Sequence, residues 1–212
     1  MSQQKQNSKK TVTNEEHWKE RMNFYQREIK KNEKIFLKIA EECKNKKRNL
    51  IEQIFTLMPM SLNKNEKMIY ILDKKVNSDE IHHYENIDAT ESGIVLGYII
   101  NIARAMAHCL LIDLPYRMQM KGSKSTIKKD QKEYILNKEV NFSEFKEGIK
   151  LLAENINFLC HSQGLHIPKN RRMYIADNLL LLKDWKDLGV ESYLRKDENN
   201  LEEEIKIEEK EN

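Results

Sequence analysis

Residues Ile94 to Ile112 form the longest apolar run in this chain, and that run constrains its fold more than any other feature. A helix that is apolar on every side must lie inside something rather than on a surface. Asn101, Arg104 and His108 interrupt the run. Charge at the middle of a bilayer is costly, so the sequence favours a helix buried in a soluble core over a membrane span. Pro115 lacks an amide hydrogen and pushes Leu114 towards extended geometry, so the helix is expected to end just before it. Tyr116 to Met120 then alternates as a strand would, and Gly122-Ser123 turns the chain into Lys124-Ser125-Thr126-Ile127-Lys128.

The chain ahead of this run is built on a different period. Trp18, Met22, Tyr25, Ile29, Asn32, Phe36, Ile39, Cys43, Lys46 and Leu50 fall alternately four and three residues apart. A 3.5-residue repeat sustained over more than four heptads specifies a coiled-coil seam. Thr13 or Asn14 is placed to cap this helix, with Glu15 and Glu16 in its first turn against the positive end of the dipole. Asn32 and Lys46 weaken self-pairing but set register and partner choice. Trp18, Tyr25 and Phe36 are bulky for two identical strands facing each other, so the seam favours a heterodimer.

The rest reads as an α+β domain. Ile51 to Leu57 is apolar enough for a strand closed by Pro59, and Lys67 to Val76 reads as a second strand after the Asn63-Lys64-Asn65-Glu66 turn. Ser78 to Asp88 is a polar connection. Ser125 to Ile127 offers a partner for the Tyr116 strand, while Glu133 to Val140 carries no clear signal. Phe145, Ile149, Leu152, Ile156, Leu159 and Cys160 repeat at helical spacing, and Gly164 is placed as a C-terminal glycine. Met173 to Leu182 makes a last amphipathic helix. The expected organisation is residues 1–13 disordered, 14–52 a coiled-coil helix, 53–194 a mixed helix and sheet domain, and 195–212 an acidic disordered tail. Met1 to Leu50 has fourteen Lys/Arg against seven Asp/Glu, whereas Arg195 to Asn212 has four against eight, so a basic front and an acidic tail flank a balanced middle.

No constellation carries chemistry. Gly122-Ser123-Lys124-Ser125-Thr126 is not a phosphate loop, because Ser123 separates glycine from lysine and no glycine stands five residues earlier. His82-His83 and Cys160-His161 are adjacent pairs whose side chains diverge, which argues against zinc and against Cys–His catalysis. Cys43, Cys109 and Cys160 show no disulfide pattern, and a reducing, cytosolic setting is expected. A zipper-type DNA binder would hold its basic residues upstream of the heptads, whereas here they lie within them, so no nucleic acid is expected. Lys121, Lys124, Lys128 and Lys129 make a cationic turn suited to anionic lipid headgroups or an acidic partner. The reading is of an adaptor: no enzyme, no cofactor, no metal.

Two segments also carry a resemblance. The apolar helix with Leu96-Gly97-Tyr98, the Leu114-Pro115-Tyr116 turn and Lys121-Gly122-Ser123-Lys124-Ser125-Thr126-Ile127-Lys128 resemble the C-terminal domain of the UV-radiation-resistance-associated protein family, relatives of Barkor-type autophagy proteins. Phe145 to Leu165 is similar to a second helix of that family. The likeness covers Leu57 to Gly189. It implies a domain like the one at Beclin's C-terminus, fed by a coiled coil that pairs with a Beclin-like chain. It further implies a non-catalytic subunit of the class III phosphatidylinositol 3-kinase complex, together with the lipid kinase and its pseudokinase scaffold, peripheral on endosomal or autophagosomal membranes. The family's N-terminal C2 domain has no counterpart within these residues. The alternative is a coiled-coil vesicle-tethering protein without a kinase partner.

Overall fold

The computed structural model of the chain describes residues 2–63, 65–77 and 89–190; the Ser78 to Asp88 connection and the acidic tail lie outside the described residues. Helix α1 spans Ser2–Leu57, 56 residues. It therefore starts well before the expected Thr13 or Asn14 cap, through a stretch expected to be disordered; Ser2 to Asn14 contains neither proline nor glycine to break it. The chain divides into two compact units, Met1–Cys43 and Lys44–Asn212, with the boundary inside α1.

Ile51 to Leu57, expected as a strand, is instead the end of α1. Ile51 and Phe55 are buried and Ile54 packs beside them, a spacing of three and four that stacks side chains on one helix face. A strand would have alternated every second residue. Arg48 anchors the same segment within the second unit, donating to the Lys186 carbonyl at 2.7 Å and to that of Trp185 at 3.3 Å.

Within this unit, β1 (Met60–Asn63), β2 (Met68–Ile71) and β3 (Lys74–Asn77) form an antiparallel meander. The expected single strand Lys67 to Val76 is thus a hairpin. Its turn runs through Leu72 at φ 52°, a left-handed position without the glycine that would have marked it. Helix α2 (Ala89–Leu110) follows, then a second antiparallel meander of β4 (Arg117–Gln119), β5 (Thr126–Lys129) and β6 (Lys132–Ile135). The silent stretch Glu133 to Val140 contributes most of β6. Helices α3 (Phe142–Ser162) and α4 (Ile175–Lys183) complete the order. Asn141 caps α3, its side-chain oxygen accepting from the Glu144 amide at 3.1 Å.

The core gathers around α2 and α3. Val95, Leu96, Ile99, Ile100, Ile102 and Met106 are fully enclosed, as are Phe145, Ile149, Leu152, Ile156 and Leu159. By length and composition Glu91–Leu110 is apolar enough to cross a membrane, yet 61% of that window is buried in this domain. α2 ends four residues earlier than Leu114. Leu111 adopts φ 59°, its amide bonding the His108 carbonyl while the Ile112 amide bonds that of Ala107. That is a Schellman ending built on leucine, and Pro115 has no part in it. α3 ends the same way on Gly164 at φ 74°.

Candidate functional site

The first surface with a functional signature is the seam of α1. Trp18 (61% exposed), Met22, Tyr25, Ile29 (56%), Phe36 and Ile39 all lie open to solvent in the Met1–Cys43 unit, as do Asn32 and Cys43. Lys46 and Leu50, expected on the same seam, are exposed within the second unit. Phe24, Ile35 and Leu37 are exposed too, and the heptad pattern missed them because they fall at c, g and b positions. The signal that would have found them is their size alone. Large apolar side chains repeated along a helix and left in water mark an interaction surface.

Arg21 organises the start of that seam. Its guanidinium lies 5.3 Å from the Trp18 ring centroid and 5.9 Å from that of Tyr25. It also donates to the Tyr25 hydroxyl at 3.3 Å, and that hydrogen bond holds the phenol below its ordinary pKa. Phe24 meets Tyr25 edge-on, with ring centroids 5.9 Å apart. The aromatic end of the seam is therefore pre-arranged by one arginine on its own helix.

The second surface, the cationic turn, is largely a packing device. Gly93 and Gly97 of α2 leave room for it: a Cβ at Gly93 would stand 2.6 Å from the Ser123 carbonyl oxygen, and one at Gly97 would stand 2.8 Å from both the Gly122 oxygen and Ser125 Oγ. Ser125 is fully buried, its Oγ accepting from the Lys121 amide at 3.0 Å and donating to the Gly122 carbonyl at 2.7 Å. The Thr126 hydroxyl donates to Glu133, and Asn137 Nδ2 donates to the Ser123 carbonyl at 3.2 Å. Two of the turn's hydroxyls thus serve the turn itself.

The four lysines divide. Lys121 pairs with Glu133 at 3.1 Å, and Lys129 sits 5.6 Å from the Tyr116 ring centroid. Lys124 and Lys128 are exposed. Glu133, receiving the Thr126 hydroxyl and the Lys121 ammonium, is held below the usual carboxylate range. The turn is thus less cationic than its sequence suggests.

Neither Cys160 nor His161 supports catalysis by the other. Cys160 is buried, donates to the Asn178 carbonyl at 3.6 Å, and has its pKa pushed up to about 12 by desolvation. His161 stacks edge-on against His166, with centroids 5.4 Å apart, and burial lowers its pKa. Among the described residues no group of three His, Cys, Asp or Glu side chains is arranged to hold a metal ion.

Two buried asparagines of α3 do positional work that the sequence did not reveal. Asn155 clamps the chain after Pro115, its Oδ1 accepting from the Tyr116 amide at 2.9 Å and its Nδ2 donating to the Tyr116 carbonyl at 2.8 Å. Asn157 donates to the Arg172 carbonyl at 2.9 Å and accepts from Asn178 at 3.2 Å.

No family model matches the chain. A curated relative does. The UV radiation resistance-associated protein of Mus musculus is 26% identical over 163 residues, which is 73% of this chain. The chain spans 23% of that relative's length. This similarity supports a distant relationship to that protein and agrees with the motif resemblance.

Proposed function

We propose that this chain is a non-catalytic adaptor of a class III phosphatidylinositol 3-kinase complex, acting in autophagy or endosomal trafficking. The seam of α1 pairs with a Beclin-like chain as a heterodimeric coiled coil. The α+β unit, resembling Beclin's C-terminal domain, travels with it to a peripheral position on the membrane, where Lys124 and Lys128 are the lysines of the turn free to approach headgroups. The kinase and its pseudokinase scaffold complete the assembly.

One observation carries this reading: a row of large apolar side chains stands in water from Trp18 to Ile39, on a chain distantly similar to the UV radiation resistance-associated protein of Mus musculus. An exposed row of that length is unfavourable unless a partner covers it. The polar Asn32 and the bulky aromatics favour a different chain over a second copy.

The test is affinity purification of the full chain with mass spectrometry, alongside the variant Ile29→Asp plus Phe36→Asp. The parent is expected to bring down a Beclin-like chain and a lipid kinase, and the variant neither, with an unchanged thermal transition of the α+β unit. Recovery of tethering subunits without a kinase refutes the assignment, and normal capture by the doubly charged variant refutes the seam.

A further inference from the structure

Beside the end of α2 lies an open groove of about 640 Å³, lined in part by three basic residues. Arg104 and His108, one turn apart on α2, supply one wall, and Arg117, the first residue of β4, supplies another. Ile112, Pro115 and other apolar side chains line the remainder. All three basic residues are exposed, and none of their side chains makes an ion pair or hydrogen bond among the described residues.

The described neighbours of these side chains are already engaged or stand outside the groove lining. Arg117 stands directly across the ladder from Lys128, and two like charges at facing positions oppose each other. The carboxylate next along that row, Glu133, is opposite Lys128 and already binds Thr126 and Lys121. Glu154, with lesser contributions from Asp130 and Glu147, raises the pKa of the Tyr116 phenol. Asp113 is exposed, close in sequence, and outside the groove lining. Two guanidinium forks and an imidazole therefore line one space from two elements, and among the described residues no carboxylate forms an ion pair with them.

We propose that this groove binds a phosphomonoester, with Arg104 and Arg117 as its charge-paired donors and His108 as the third. A phosphate monoester carries about −1.5 to −2 charges near neutral pH, matching the two guanidiniums. Planar guanidinium forks meet phosphate oxygens in pairs, which a flexible ammonium does not. The clamp of Asn155 on Tyr116 fixes the backbone next to Arg117, so the site is held ready rather than assembled on binding.

The test is calorimetric titration of the full chain with inorganic phosphate and with myo-inositol hexakisphosphate, plus flotation with phosphatidylcholine vesicles with and without phosphatidylinositol monophosphate. Each arginine contributes about tenfold in affinity, so Arg104→Ala plus Arg117→Ala is expected to lose about a hundredfold. Lys75→Ala plus Lys169→Ala, which removes equal charge at exposed positions elsewhere, is expected to change affinity less than about threefold. Arginine-dependent binding of the soluble phosphates assigns a free ligand, and arginine-dependent binding of the vesicles alone assigns a lipid headgroup; either supports the site. Equal losses in both variants mean only net charge is felt and overturn it. So does the absence of binding by every probe, or arginine-dependent capture of a polyglutamate peptide without phosphate binding.

Discussion

Asn155 offers the sharpest test of how the domain is held together. It is fully buried, and its amide satisfies both backbone groups of Tyr116, at 2.9 Å and 2.8 Å. Asn155→Leu keeps the volume and leaves that amide and carbonyl without partners. Each stranded backbone group costs about 1–3 kcal/mol, and Tyr116 is only half-buried, so the expected loss is about 3 kcal/mol. For a domain of this size that lowers Tm by about 6–12 °C. Asn155→Asp separates the clamp from simple packing. Its carboxylate still accepts from the Tyr116 amide, but an ionised oxygen then faces the Tyr116 carbonyl, and only the protonated form donates to it. Burial and that carbonyl raise the folded pKa above the unfolded value of about 3.9. The proton-linked stability of the variant is therefore fully present below about pH 4 and lost as pH rises through the folded pKa. Urea unfolding followed by circular dichroism, at a series of pH values, reads both effects. A leucine variant within about 0.5 kcal/mol of the parent refutes the clamp, as does an aspartate variant whose stability follows the parent's at every pH.

Other expectations follow from single contacts. Gly97→Ala should destabilise the domain and loosen the turn, because its Cβ meets a backbone oxygen at 2.8 Å, while Gly148→Ala, facing the end of the Leu136 side chain, should be tolerated far better; thermal melts of the two rank them. Leu111→Gly should stabilise the chain by about 1 kcal/mol, since leucine holds a left-handed φ of 59° with its side chain 81% exposed; urea midpoints check it. Alkylation at pH 8 should modify Cys43 rapidly and Cys160 only after unfolding, read by mass spectrometry of native and denatured samples. Because the folded Cys160 pKa is raised from 9 to about 12, its contribution is intact below pH 9 and lost as pH climbs towards 12, so Cys160→Ala should flatten the alkaline fall in stability.

What could be read from the sequence was what repeats. The α2 run, the helical spacing from Phe145 to Cys160 and the glycine ending at Gly164 each carry a signal several residues long, or a residue type with one conformational preference. What escaped was set by single positions whose residue type argues the other way. Leu72 and Leu111 occupy left-handed backbone that a reader expects glycine or asparagine to hold, so a hairpin looked like one strand and α2 looked longer. Ile51 to Leu57 is ambiguous because a short apolar run fits either period, and only burial of Ile51 with Phe55 decides for the helix. The expected seam residues recur as a pattern in the sequence, whereas the equally exposed Phe24, Ile35 and Leu37 obey no period.

The cationic turn bears on how such a resemblance is used. Its glycine and serines look like equipment for meeting a ligand. In the fold Ser125 is buried beneath the turn, and Gly97, in the other half of the motif, is the floor that the turn rests on. The two halves of the motif are therefore two sides of one contact, and a chain that changes either must change both. Arg104 and Arg117, by contrast, are not among the motif residues Leu96-Gly97-Tyr98, Leu114-Pro115-Tyr116 and Lys121 to Lys128. They are exposed, and nothing in the packing requires a charge at either place. Fold-determining positions and ligand-facing positions are thus separable here, and a substitution at Gly97 should move stability while one at Arg104 or Arg117 should move only binding.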